Sequence, residues 1–108
     1  MKYTITLKNK YEASKIDWKK GGKRVYVGMA TLVVNGVAIS GIVVTRDVVN
    51  AKTKKLGDYH IAMPSRKGTD DNYYPICWVE AEKEEAVKIY ERMTEVIEKE
   101  FEGESTED

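Results

Sequence analysis

The 108-residue chain holds one histidine, His60, and one cysteine, Cys77. Nucleophilic catalysis needs an activated nucleophile beside an oriented base, so this pair is the sole candidate for such chemistry. Both residues fall in segments expected to be strands, and pairing of those strands would bring them close, but no third group is evident to orient the base. A cysteine next to Trp78 reads as a small buried hydrophobe. Asp70-Asp71 supplies neither the number nor the geometry of ligands that a metal site requires, and reads as a turn. Gly21-Gly22 leads through Lys23-Arg24 into a strand, where a phosphate loop would lead into a helix. The residues therefore point away from an enzyme, and no cofactor, metal or small-molecule substrate is expected.

The cations carry more. The formal net charge is zero, yet residues 1–67 hold 14 Lys/Arg and 4 Asp/Glu while residues 68–108 hold 4 and 14, giving +10 and −10. Such a split predicts a dipolar surface whose basic side attracts a polyanion or another molecule's acidic side. Segment 8–24 interleaves Lys8, Lys10, Lys15, Lys19, Lys20, Lys23 and Arg24 with Tyr11 and Trp18. Lys52, Lys54 and Lys55 form a second basic group and Arg66-Lys67 a third. Lysine and arginine neutralise phosphates while aromatic rings stack on bases, so the pattern suits DNA or RNA. In that reading Arg66 and Lys67 position the backbone, Lys19, Lys20, Lys23, Arg24, Lys54 and Lys55 add charge, and Trp18 or Tyr11 stacks on a base.

The elements that must position these residues follow from periodicity. Tyr3 to Leu7 alternates as a half-buried strand, and 8–24 reads as a long cationic loop. Asn35-Gly36 between Val25–Val34 and Val37–Thr45 signals a two-residue type I′ hairpin. Its simple pairing places Leu32, Ala30, Gly28, Ile39, Gly41 and Val43 on one face, and Val33, Thr31, Met29, Val27, Ala38, Ser40, Ile42 and Val44 on the other. Both faces are largely apolar. A helix can approach the face with Gly28, Ala30 and Gly41, which leaves Val27, Met29, Val33, Ile42 and Val44 for loops or a second subunit, and so predicts a homodimer. Segment 47–57 reads as a second connection and Tyr59–Met63 as a strand halted by Pro64. Residues 65–72 read as a polar loop, and Tyr73–Val79 as an aromatic strand interrupted at Pro75. Glu82–Phe101 is the one long helical pattern. The fold class is α+β: an antiparallel sheet built around a long hairpin, with one C-terminal amphipathic helix. The domain spans 1–101, and the acidic tail 102–108 is expected to be disordered. No apolar run is long enough for a membrane span, the N-terminus lacks a signal-peptide core, and a lone cysteine suits a reducing compartment. The cytoplasm is the expected location.

The segment Ala62-Met63-Pro64-Ser65-Arg66-Lys67 resembles the Ala-Met-Pro-Ser followed by two basic residues of the stage V sporulation protein G (SpoVG) septation family. The order of elements is similar too: a first strand, the long hairpin, the motif strand, an aromatic strand with Pro75-Ile76, and a C-terminal helix. The resemblance covers roughly residues 2–100. It implies a small bacterial regulator of septation, cell division and sporulation that dimerises through its sheet and binds DNA and RNA without being an enzyme. Arg66 and Lys67 match the family's basic pair. Segments 8–24 and 46–57 are longer here than in typical members. Glu82, Glu84, Glu85, Glu91, Glu95, Glu98 and Glu100 make this helix repel phosphate, so nucleic acid should approach from the loop side. The competing expectation is a homodimeric protein-interaction adaptor that uses the acidic helix.

Overall fold

The structure is a computed structural model that describes residues 3–18 and 22–102. Lys19 and Lys20, expected to bind phosphate, lie outside the described residues, as does the tail from residue 103 onward. Four strands, β1 (Ile5–Glu12), β2 (Arg24–Val34), β3 (Val37–Asn50) and β4 (Lys55–Ala62), form an antiparallel sheet in that order. β5 (Ser65–Lys67) and β6 (Tyr73–Pro75) form a separate two-stranded sheet, and α1 (Lys83–Glu102) follows. The expected α+β class is the class observed. Among the described residues no helix is long and apolar enough to cross a membrane.

The Asn35-Gly36 turn has φ of 49° and 82°, both positive as type I′ requires. Asn35 also ties the turn to the N-terminal segment: its Oδ1 accepts from the Thr4 N–H at 2.7 Å, and its own N–H donates to the Thr4 carbonyl at 2.8 Å. From the turn, Val34 faces Val37, Val33 faces Ala38 and Leu32 faces Ile39, as simple pairing predicts. The register then slips by one residue, and Ala30 faces Ile42 in place of Gly41. The extra residue lies at Ser40-Gly41, where Gly41 takes a φ of 78° that a residue with a side chain adopts only under strain. Because side chains alternate strictly along a strand, this single step turns Ile42 and Val44 to the same side as Ala30 and Leu32. Both are 0 % exposed, which corrects the expectation that they line the uncovered face. Met29 and Val43 now pair on that uncovered face, with Met29 and Tyr26 exposed.

Helix α1 covers the other face. Ile89, Met93 and Ile97, four residues apart, bury themselves in one cluster with Ile5, Ala30, Leu32, Ile42, Val44 and Tyr59. Glu84 and Glu85 in its first turn and Lys99 in its last complement the helix dipole. Its C-terminal end is clamped to the sheet. The Tyr59 hydroxyl donates to Glu102 Oε2 at 2.6 Å, the Arg46 guanidinium lies 4.4 Å above the Tyr59 ring, and Phe101 meets that ring edge-on at 6.1 Å. Burial, and then the Glu102 hydrogen bond, push the Tyr59 hydroxyl well above its ordinary pKa. Gly28 gives the Phe101 ring its place, since a Cβ there would overlap the Tyr11 carbonyl oxygen and come within 2.9 Å of the ring.

Segments 8–24, 47–57 and 73–79 differ from expectation, as does 65–72, which opens with β5. β1 continues through Glu12, with a register shift between Leu7 and Asn9, so the first part of 8–24 is strand and not loop. Segment 47–57 is the end of one strand, a tight turn and the start of the next. Asn50 Oδ1 accepts the N–H groups of Lys52 at 2.9 Å and Thr53 at 3.1 Å, and Lys54 turns the chain at a φ of 59°. The aromatic strand stops at Pro75, which has no N–H to extend the ladder. The register slip is directly testable: Ile42→Ala should cost about 2–5 kcal/mol, whereas Val43→Ala should cost about 1 kcal/mol or less, read as shifts of the urea midpoint. Equal losses would contradict the pairing.

Candidate nucleic-acid interface

The Arg66-Lys67 pair sits on a short, internally braced hairpin and not on the open loop expected for 65–72. Ser65 pairs with Pro75, Arg66 with Tyr74 and Lys67 with Tyr73. At its base the Ile76 N–H donates to the Pro64 carbonyl at 2.9 Å. At its tip the Gly68 N–H donates to the Asn72 carbonyl at 2.7 Å, the Asp71 N–H donates to the Gly68 carbonyl at 3.2 Å, and Asp71 takes a positive φ of 66°. The Asp70 carboxylate organises this tip. It accepts from the Tyr74 hydroxyl, from the Asn72 backbone N–H at 3.1 Å and from the Asn72 side-chain amide at 3.2 Å. The Tyr74 ring lies against Gly68, where an added Cβ would be 2.7 Å from Cε2. Asp70 is thus a turn-forming residue whose charge is met by three donors.

Directly opposed residues of an antiparallel pair share a face. Arg66 and Tyr74 therefore project from one side of the hairpin and Lys67 and Tyr73 from the other. Lys67 Nζ lies 3.5 Å from Asp71 Oδ1, an exposed pair that contributes little in water. Arg66 is exposed and pairs with no carboxylate among the described residues. Tyr73 and Trp78 are 69 % and 60 % exposed. These rings are legible as an aromatic segment, yet sequence reasoning assigns them no part in binding. The signal is the density of aromatic residues over 73–78, and it becomes meaningful for Tyr73 once 65–67 and 73–75 are seen to pair and set it opposite Lys67.

The other predicted cations among the described residues lie elsewhere. Arg24 starts β2 opposite Asp47, with its Nε 3.3 Å from Asp47 Oδ1. His60 Nε2 is 3.0 Å from the same oxygen, and this hydrogen bond is the main cause holding the Asp47 carboxyl below its ordinary pKa. The Lys23 carbonyl accepts from the Val48 N–H at 2.8 Å, and Lys54 and Lys55 occupy the turn into β4. This group stands at the opposite end of β4 from the hairpin. β4 runs eight residues from Lys55 to Ala62, a span of roughly 23 Å. Among the described residues, the cations predicted to bind phosphate thus fall into two groups. Trp18 is half-buried, and Tyr11 is exposed on the sheet face away from α1, opposite Met29. The conditional pairing of the His60 and Cys77 strands does not occur, because β6 pairs with β5 and His60 is engaged by Asp47. The exposed acids of α1, among them Glu84, Glu91, Glu95 and Glu98, lie on the helix side of the sheet.

Because the Tyr74 hydroxyl and the Asn72 N–H favour the ionised form of Asp70, its folded pKa is depressed. Its contribution to the hairpin tip is present above the ordinary carboxylate pKa and is lost as pH falls through the depressed folded value. Tyr74→Phe should raise the Asp70 pKa, followed by NMR titration of its carboxyl carbon. An unchanged pKa would contradict the bracing role of the hydroxyl.

No family model matches the chain, and neither a curated protein nor a solved structure does.

Proposed function

We propose that the chain is a non-enzymatic regulator of the kind its Ala62–Lys67 segment resembles, the SpoVG septation and sporulation proteins, and that it contacts phosphates of DNA or RNA through Arg66 and Lys67. The observation that carries this reading is Arg66, an exposed guanidinium on a braced hairpin with no carboxylate partner among the described residues. The hairpin fixes the backbone from which this guanidinium projects, and its planar fork suits bidentate contact with a phosphate. Lys67 adds a second charge on the other side of the hairpin. Such contacts fix the nucleic acid in place without reading its sequence. Lys23, Lys54 and Lys55 form the second patch, at the far end of β4 from the hairpin, so a strand running the length of β4 between them would span about seven nucleotides at about 3.4 Å of rise. The acids of α1 restrict approach to the hairpin and strand-end side.

In this reading the chain works in the bacterial cytoplasm as a homodimer. The uncovered sheet face, with Tyr11, Tyr26, Met29, Val33 and Val43, is the surface for a second copy, a self-complementary patch of the kind a twofold interface uses. Light scattering at tens of micromolar should give twice the chain mass, and a monomer mass would overturn the dimer.

An Arg66→Ala, Lys67→Ala double variant should keep its far-UV circular dichroism and lose affinity for DNA and RNA. Its slope of log affinity against log salt should flatten by about 1.8 for duplex, two phosphate contacts' worth. An unchanged affinity and slope would overturn the assignment. Absence of any gel shift at physiological salt and micromolar protein would favour the adaptor reading, which rests on the exposed carboxylates of α1.

A further inference from the structure

We infer that the β5–β6 hairpin takes single-stranded nucleic acid, with bases stacked on Tyr73 and Trp78 while Lys67 and Arg66 hold the adjoining phosphates. The inference rests on the proposed phosphate role of those two cations and adds the class of strand they receive.

Four large apolar or aromatic side chains are exposed within six residues: Tyr73, Tyr74, Ile76 and Trp78. Exposed apolar side chains beside charge mark a contact surface, and on the Lys67 side of the hairpin the ring in that position is Tyr73. The rings do different work. Tyr74 is occupied, its hydroxyl on Asp70 and its ring against Gly68, so it braces the tip. Tyr73 has no hydrogen-bond or ring partner among the described residues and stands directly opposite Lys67. The Trp78 indole N–H is satisfied by Glu80 Oε1 at 2.9 Å, which leaves the indole's contribution to its ring face. Glu80 also disfavours a phosphate beside Trp78, so the backbone is directed to the hairpin cations, Lys67 on the Tyr73 side and Arg66 on the opposite side, and the base to the indole.

Directly opposed side chains on an antiparallel pair lie about 5 Å apart, so Lys67 and Tyr73 can hold a phosphate and its neighbouring base together. A ring face can stack only on a base that is not already stacked on both sides within a helix, which is why exposed aromatics select unpaired strands. A duplex would use the cations and leave Tyr73 and Trp78 bare.

The test is fluorescence anisotropy at fixed salt with labelled 12-nucleotide single strands, as DNA and as RNA, and with the corresponding duplex. The wild-type chain should bind a single strand more tightly than the duplex. Tyr73→Ala with Trp78→Ala, both exposed positions, should retain the fold by circular dichroism and lose about 10- to 100-fold in single-strand affinity, with duplex affinity and salt slope unchanged. Tyr73→Phe should restore its share. Duplex binding equal to or tighter than single-strand binding, or an aromatic double variant with undiminished single-strand affinity, would overturn the inference and leave the phosphate role of Arg66 and Lys67 standing. Failure of the wild-type chain to bind any of the probes would overturn both.

Discussion

Ile42 and Val44 reach the core because the chain makes one extra step at Gly41. That step lets β3 present Val37 and Ile39 in register with the turn and then change the face it offers, so that Leu32, Ile42 and Val44 form one apolar floor for Met93 and Ile97. The same glycine lies under Pro64, where an added Cβ would be 3.9 Å from the proline ring. Pro64 is where the chain leaves the main sheet for the hairpin that carries Arg66 and Lys67. The backbone distortion that makes the core possible thus lies beside the root of the candidate site.

The second constraint is the anchoring of α1 at its C-terminal end. Tyr59, Arg46, Phe101 and Glu102 interlock there, and Lys10 reaches over the Phe101 ring from β1. An amphipathic helix fixed in this way commits its carboxylates to one side of the molecule. Among the described residues, the cations proposed to meet phosphate stand at the two ends of β4, in the β5–β6 hairpin and around the β3–β4 turn, while Lys10 and Arg46 are engaged at the C-terminal end of α1.

Much of this is legible in the amino-acid sequence. Asn35-Gly36 announces the hairpin because few other pairs tolerate two positive φ angles, and the spacing of Met93 and Ile97 announces the helix. The slip at Gly41 is not legible, since a glycine in a β-branched run fits an ordinary strand and a bulge equally well by composition. Lys8 to Glu12 reads as loop because an edge strand with its side chains in water looks like a polar connection. Ser65–Lys67 reads as loop because three residues are too few for a period to show. For the candidate site, Arg66 and Lys67 stand out by residue type and by the resemblance of Ala62–Lys67. Tyr73 does not, because its relation to Lys67 exists only across the β5–β6 pairing, and Trp78 does not, because its exposure is a property of the folded chain.

Whether the β5–β6 hairpin is the surface that meets nucleic acid is tested most directly by a residue-by-residue amide NMR titration of the whole chain with a short oligonucleotide. Shifts should concentrate in 65–78, with a second, weaker set near Lys23, Lys54 and Lys55, while the exposed face of α1 around Glu91, Glu95 and Glu98 stays still. Shifts confined to α1, or none at saturating oligonucleotide, would contradict the proposed interface.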